Sequence, residues 1–148
     1  MAHDLARTVL GASFQNPVLL AAGTAGFGRE VAGVMDLERL GGLVTKAVSP
    51  EPRAGNRAPR VAEFPFGMLN SVGLANPGLA AVRQAEFPWL EANLRRARVL
   101  VNVVGFTAID FAEVVAGLDH LTCITAFELN LSCPNTHAGG LEFGADPA

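Results

Sequence analysis

The sequence predicts an α/β chain built on a parallel sheet, and three observations carry that prediction. Four short apolar runs, at residues 18–22, 43–47, 98–104 and 126–131, are too brief for helices and lack strict alternation, as strands covered on both faces do. Segments with apolar residues at helical spacing lie between them. Helix start and stop signals, Asn76-Pro77 at one place and Gly41-Gly42 at another, bound those segments.

Taken in order, Thr8-Val9-Leu10 and Ala12-Ser13-Phe14 flank Gly11 and read as a small hairpin. The run Val18 to Ala22 then closes on Gly23. Arg29 to Leu40, with Val31, Val34, Met35, Leu37 and Leu40 at helical spacing, predicts a helix ended by Gly41-Gly42. The run Leu43-Val-Thr-Lys-Ala47 completes a βαβ unit. Ser49 to Asn76 breaks this pattern with Pro50, Pro52, Pro59 and Pro65 and with Arg53, Arg57 and Arg60. A long connection inside a compact domain is functional or disordered, and its apolar Phe64, Phe66, Met68 and Leu69 favour function. Asn76 as N-cap and Pro77 at the first helical position start a helix that runs to about Arg98, broken or kinked near Pro88. Ala108 to Leu118, with Ile109, Phe111, Val114, Val115 and Leu118 on one face, joins the third and fourth runs into a second βαβ unit. Right-handed crossovers then leave two closures, a small doubly wound sheet or the first half of a (β/α)₈ barrel.

Composition narrows the partners. The 148 residues fit one domain at most, half of them apolar and only 17% charged, so the chain is expected to fold with little disorder. A net charge of −3 with no basic block lacks the footprint of a nucleic-acid binder. No apolar run reaches the roughly 18 residues of a spanning helix, and Met1-Ala2-His3-Asp4 opens no signal peptide. A soluble, cytoplasmic protein is expected. Two cysteines, Cys123 and Cys133, are too few for a disulfide framework and suit a reducing compartment.

In either closure ligands gather at the carboxyl ends of the strands, which gives priority to Gly23-Thr24, Lys46, Asn102 with Gly105, and Asn130 through Asn135. Lys46 in an apolar strand needs an anion or a polar ring for its ammonium; the alternative is a lysine snorkelling from a strand end. In Glu128-Leu129-Asn130-Leu131-Ser132-Cys133-Pro134-Asn135, alternation puts Glu128 and Asn130 on one face with Cys133 just beyond. An inward Asn beneath a thiol suits holding a heteroaromatic ring and moving a proton, while an inert Cys beside a Pro-Asn turn has the same composition. A zinc site on His120, Cys123, Cys133 and His137 is excluded by distance: a strand over 126–131 separates the cysteines by on the order of 20 Å. A Cys133–His137 thiol hydrolase pair is a further alternative reading of these residues. The loop Gly23-Thr24-Ala25-Gly26-Phe27-Gly28 is neither a dinucleotide fingerprint nor a P-loop; it lets a flat ligand approach the backbone, or serves as a bare turn.

Jointly the motifs are specific. Asn16-Pro17, Ala21-Ala22-Gly23-Thr24-Ala25-Gly26-Phe27-Gly28, Thr45-Lys46, Glu51-Pro52-Arg53-x-Gly55-Asn56-x-x-Pro59-Arg60, Gly67-Met68-Leu69-Asn70-Ser71-Val72-Gly73-Leu74-x-Asn76-Pro77-Gly78, Asn102-Val103-x-Gly105 and Glu128-Leu129-Asn130-x-Ser132-Cys133-Pro134-Asn135 resemble the class 1 dihydroorotate dehydrogenases. The Gly67 to Gly78 variant resembles the NAD-linked subclass 1B. The resemblance runs from about residue 5 to the end. It implies the first half of a (β/α)₈ TIM barrel preceded by a small β-hairpin, so that residues 1–148 make a partial FMN-binding domain of about four βα units. It implies oxidation of dihydroorotate to orotate in pyrimidine (UMP) biosynthesis. By the same match, Ala22, Gly23, Thr24, Lys46, Asn102 and Asn130 line the FMN, and Lys46, Met68, Asn70, Gly73, Leu74, Asn130 and Asn135 hold the dihydropyrimidine. Cys133 is the base that takes the C5 proton, Cys123 is structural, and no metal is implied. A homodimer and an electron-transfer subunit carrying FAD and a 2Fe–2S cluster are the implied partners. The family's second barrel half, with its FMN-phosphate site, is not among these residues, so weak flavin retention and poor solubility or oligomerisation of the 148-residue chain alone are expected. Two other readings stand beside this one: the FMN domain of a dihydropyrimidine dehydrogenase, and a non-catalytic half that needs the missing strands.

Overall fold

The computed structural model describes residues 4–132. Strands β1 (Arg7–Val9) and β2 (Ala12–Phe14) pair antiparallel, as the sequence predicts. Their two-residue turn holds Leu10 at φ 54° and Gly11 at φ 73°. Paired left-handed turn residues match the right-handed twist of a hairpin, and the glycine carries its half of that conformation without strain.

Strands β3 (Leu19–Leu20), β4 (Gly42–Val44), β7 (Arg98–Val103) and β8 (Ile124–Leu129) form one parallel sheet in the order β3-β4-β7-β8. Each new strand adds beside the last, with no reversal of order. A doubly wound sheet requires such a reversal; a sheet that keeps winding one way is an open arc of a barrel. The predicted strands are longer than those observed at β3 and β4, and β8 begins two residues earlier than its apolar run suggests.

The core lies between this sheet and the helices, with Leu43, Val99, Val101 and Val103 of the strands meeting Val82, Leu90, Val114 and Leu118. Helix α3 (Ala108–Leu118) has the predicted bounds and a capping box: Thr107 Oγ1 accepts from Asp110 N while the Asp110 carboxylate accepts from Thr107 N. The predicted 77–98 helix spans 79–93 in three joined pieces, α1 (Leu79–Ala81), a π turn (Val82–Glu86) and α2 (Phe87–Asn93). The expected break at Pro88 is this π turn. Proline clashes with the carbonyl four residues back, and the wider turn, in which Phe87 N donates to Val82 O, takes up that clash without ending the helix.

The predicted helix over 29–40 is not formed. Ala32 N donates to Gly28 O and Met35 N to Val31 O, a single turn, before a 3₁₀ turn at Leu37–Arg39. Gly28 at φ 91° stands outside helical space, Gly33 weakens the middle, and Asp36 turns extended to cap Glu38 N with its own carboxylate. Of the predicted apolar face, Leu37 and Leu40 still reach the core with Val31 packed against it, while Val34 and Met35 are left exposed.

The long connection holds a hairpin the sequence does not predict, β5 (Val61–Phe64) with β6 (Gly67–Asn70), joined at Pro65-Phe66. All of its residues are exposed. At its base Ser49 and Asn76 close the loop: Asn76 Oδ1 accepts from Ser49 N and Gly78 N, and Asn76 Nδ2 donates to Ser49 Oγ at 2.9 Å. Asn76, expected as an N-cap, is therefore a buried clasp, with Arg53 paired to its backbone.

Candidate functional site

The carboxyl ends of β3, β4, β7 and β8 open on one side of the arc, and the chain assembles its polar side chains there. At the end of β4 the pairing slips by one residue: Thr45 N donates to Leu100 O, but the next bond to β7 is Val48 N to Asn102 O. Residues 46 and 47 thus make a bulge, a device that re-aims side chains beside sites. Lys46 N is turned to Gly26 O at 2.7 Å, which ties the β4 end to the glycine loop. Among the described residues Lys46 has no ion-pair partner; the pair found is Arg29 with Glu86, at 3.6 Å. A half-buried ammonium without a carboxylate is placed to receive an anion or a polar ring.

In that loop Gly23 adopts φ 84°, and none of the described residues beyond its chain neighbours lies within 4 Å of where a side chain would start. Backbone is therefore open to a flat ligand at this point. Thr24 folds back on its own turn, donating from Oγ1 to Ala21 O at 2.6 Å. The Thr24 hydroxyl is thus already engaged within the chain.

Asn102, 3% exposed, sits near the end of β7 with its backbone N donating to Thr45 Oγ1 at 3.3 Å. Its Nδ2 donates to Glu128 Oε1 at 2.5 Å across the β7–β8 register. Asn130, just past β8, is held by its N donating to Val103 O at 2.8 Å, and its Nδ2 donates to Asn102 Oδ1 at 3.4 Å. The structure thus brings Asn102 and Asn130 into one hydrogen-bonded chain, with Glu128 at its far end. Thr45 and Glu128 are the two groups not assigned roles from the sequence. Alternation along β8 was the signal for Glu128; Thr45, one residue past β4, carried no comparable mark in the sequence.

Met68 and Asn70 lie on β6, and Gly73 and Leu74 in the turn after it. They stand on the clasped loop rather than on the sheet, and no hydrogen bond among the described residues ties them to Lys46, Asn102 or Asn130. Gly73 has φ 74°, and a Cβ there would fall 2.7 Å from the Asn56 side chain, so only glycine fits. Cys133 and Asn135 lie outside the described residues. Cys123 is half-buried, and burial first, then the Glu91 carboxylate, pushes its thiol upward. A thiol so placed stays protonated and unreactive. Among the described residues no three His, Cys, Asp or Glu converge as a metal site, and no helix is long and apolar enough to cross a membrane.

These residues suit a flavin ring: a cation, two amides and an open glycine backbone offer donors and acceptors to a planar heterocycle with both kinds of edge.

A family profile described as dihydroorotate dehydrogenase matches residues 4–148. The catalytic subunit of dihydroorotate dehydrogenase B (NAD(+)) from Listeria welshimeri is 46% identical over 145 residues, covering 98% of this chain and 47% of that protein. Its counterpart from Latilactobacillus sakei is 43% identical over 147 residues, covering 99% and 48%. The chain spans about half the length of the curated relatives it matches. Among solved structures, a dihydroorotate dehydrogenase from Eimeria tenella superposes with a TM-score of 0.69 at 24% identity, over 90% of this chain and 38% of that one, a likeness of fold.

Proposed function

The chain belongs to the dihydroorotate dehydrogenase family, and from that membership we propose that it is the N-terminal half of the catalytic barrel of an NAD-linked, FMN-dependent enzyme that oxidises dihydroorotate to orotate in pyrimidine synthesis. The observation that carries the reading is the Asn130–Asn102–Glu128 chain at the strand ends, beside a half-buried Lys46 and the open backbone of Gly23. Lys46, Asn102, Asn130 and the Ala22-Gly23 backbone hold the flavin; Thr24 contributes shape. Lys46, Asn130 and Asn135, with Met68, Asn70, Gly73 and Leu74 from the clasped loop, hold the dihydropyrimidine.

When bound, the FMN supplies the acceptor for the hydride equivalent leaving C6. The chain's own task is at C5: the Cys133 thiolate takes the proton there, in the position the Asn amides impose on the ring. Thiols ordinarily titrate near 8.5, so Cys133 works as a base where a neighbouring positive charge or helix terminus lowers it. The relatives are named catalytic subunits, which favours a second subunit carrying FAD and an iron–sulfur cluster; we extend this to a homodimer of the catalytic chain and a cytoplasmic setting.

The test is anaerobic mixing of the intact FMN-loaded protein with dihydroorotate. Bleaching of the flavin is expected, with dihydrouracil inert. Bleaching by dihydrouracil alone would transfer the chain to the dihydropyrimidine dehydrogenases. In the same protein Cys133→Ala is expected to lose bleaching while retaining FMN. Cys133→Ser is expected to shift activity to higher pH, since a hydroxyl is the weaker acid. Full activity of Cys133→Ala would remove this residue from the mechanism.

A further inference from the structure

The inference rests on the functional reading above and concerns Glu128, a group that reading leaves without a role. An amide side chain is nearly symmetric in shape but has a donor at one end and an acceptor at the other, so each Asn has two orientations available. A carboxylate only accepts. Facing Glu128 Oε1, Asn102 turns its NH₂ to the carboxylate, and its Oδ1 is left for Asn130. Asn130 must then turn its own NH₂ toward Asn102. Both backbones are pinned, Asn102 by Thr45 Oγ1 and Asn130 by Val103 O, so neither residue can escape the constraint by shifting along its strand.

We propose that Glu128 is a positioning residue that sets the polarity of Asn102 and, through it, of Asn130. With one N–H committed to Asn102, Asn130 presents its remaining N–H and its carbonyl oxygen in a fixed order. That edge complements a cyclic lactam, a carbonyl beside an N–H, offered in one orientation. Reversing Asn130 would set donor against donor and acceptor against acceptor. Glu128 thus selects how the ring is seated without touching it.

The experiment titrates the intact FMN-loaded protein with orotate and reads the flavin absorbance shift. Glu128→Gln keeps length and shape, but its amide can donate as well as accept, which frees both orientations. The orotate Kd is expected to rise about tenfold, the size of one lost charge-assisted hydrogen bond. In an Asn130→Ala background the same change is expected to have less than about twofold further effect. A wild-type Kd in Glu128→Gln, or an undiminished effect in the Asn130→Ala background, overturns the inference alone. If orotate leaves the wild-type spectrum unmoved, the functional reading falls with it. Should Glu128→Gln fail to fold, a crystal structure of the wild-type protein with orotate decides: Asn102 must meet Glu128 and Asn130 must meet the lactam edge, and Asn102 turned away from Glu128 overturns the proposal.

Discussion

Asn76 satisfies Ser49 N, Ser49 Oγ and Gly78 N with one buried side chain. Removing it strands several buried polar groups, each costing about 1–3 kcal/mol. Asn76→Ala in the intact protein is therefore expected to lower unfolding stability by about 2–4 kcal/mol in a urea titration, and a loss below half that range would mean the clasp relaxes onto water. Lys46 belongs to a different class of residue. Among the described residues it has no ion-pair partner, so its replacement is expected to be felt by the ligand more than by the fold. Lys46→Met is expected to weaken FMN binding ten- to a hundredfold, the range of a hydrogen bond to a charged group, measured by flavin fluorescence on reconstitution. Both residues were visible in the sequence, Lys46 as an oddity in an apolar strand and Asn76 as a helix start. Asn76 was misassigned, because an Asn before Pro-Gly has the same local signature whether it caps a helix or closes a loop.

At the scale of elements, the α3 cap joins stability to pH. The Phe106 N–H, above all, holds the Asp110 carboxyl below its usual range, with Thr107 adding to it against the opposing effect of burial. A depressed carboxylate contributes stability that is complete above its unfolded value, about 3.9, and that is lost as pH falls through its lower folded value. Thr107→Ala is expected to cost about 1 kcal/mol at pH 7, and Asp110→Asn to flatten the acid limb of stability between pH 5 and 2; unchanged acid sensitivity would place the effect elsewhere. The legibility of elements followed their local completeness. Helix α3 was read to the residue because periodicity and boundaries agreed. The 29–40 segment had the periodicity but also Gly28, Gly33 and Asp36, three residues whose backbone preferences oppose a helix. Hairpin β5–β6 was missed because both its faces are exposed, and a strand with no buried face writes no alternation into the sequence.

For the whole molecule, the sheet is an arc whose outer strands, β3 and β8, each have one unpaired edge among the described residues. Leu19, Leu129 and Leu131 stand exposed near those edges. Open edges beside apolar surface template association. A polypeptide of these 148 residues made by itself is expected to self-associate and to retain little FMN, as read by light scattering and the visible spectrum; a yellow monomer would overturn this. The succession of parallel strands was legible because each run is local, although the first crossover, over 29–40, is built of turns rather than the predicted helix. The direction of closure was not, since it depends on which side each strand adds, and the family motifs supplied it.

The Ser49–Asn76 clasp has one more consequence. Chain enters and leaves the loop through a buried junction, and Arg53 beyond it lies over the Phe106 ring, so it is the exposed hairpin β5–β6 alone that stands apart from the sheet. Phe66 at its tip is 96% exposed and carries no packing load. The hairpin is in effect a cassette: it can be lengthened, cut at its tip or exchanged for another while the sheet keeps its strand order. Residues on the strand ends are bound to the architecture. Those on β5 and β6 have solvent on both faces and take no part in the core.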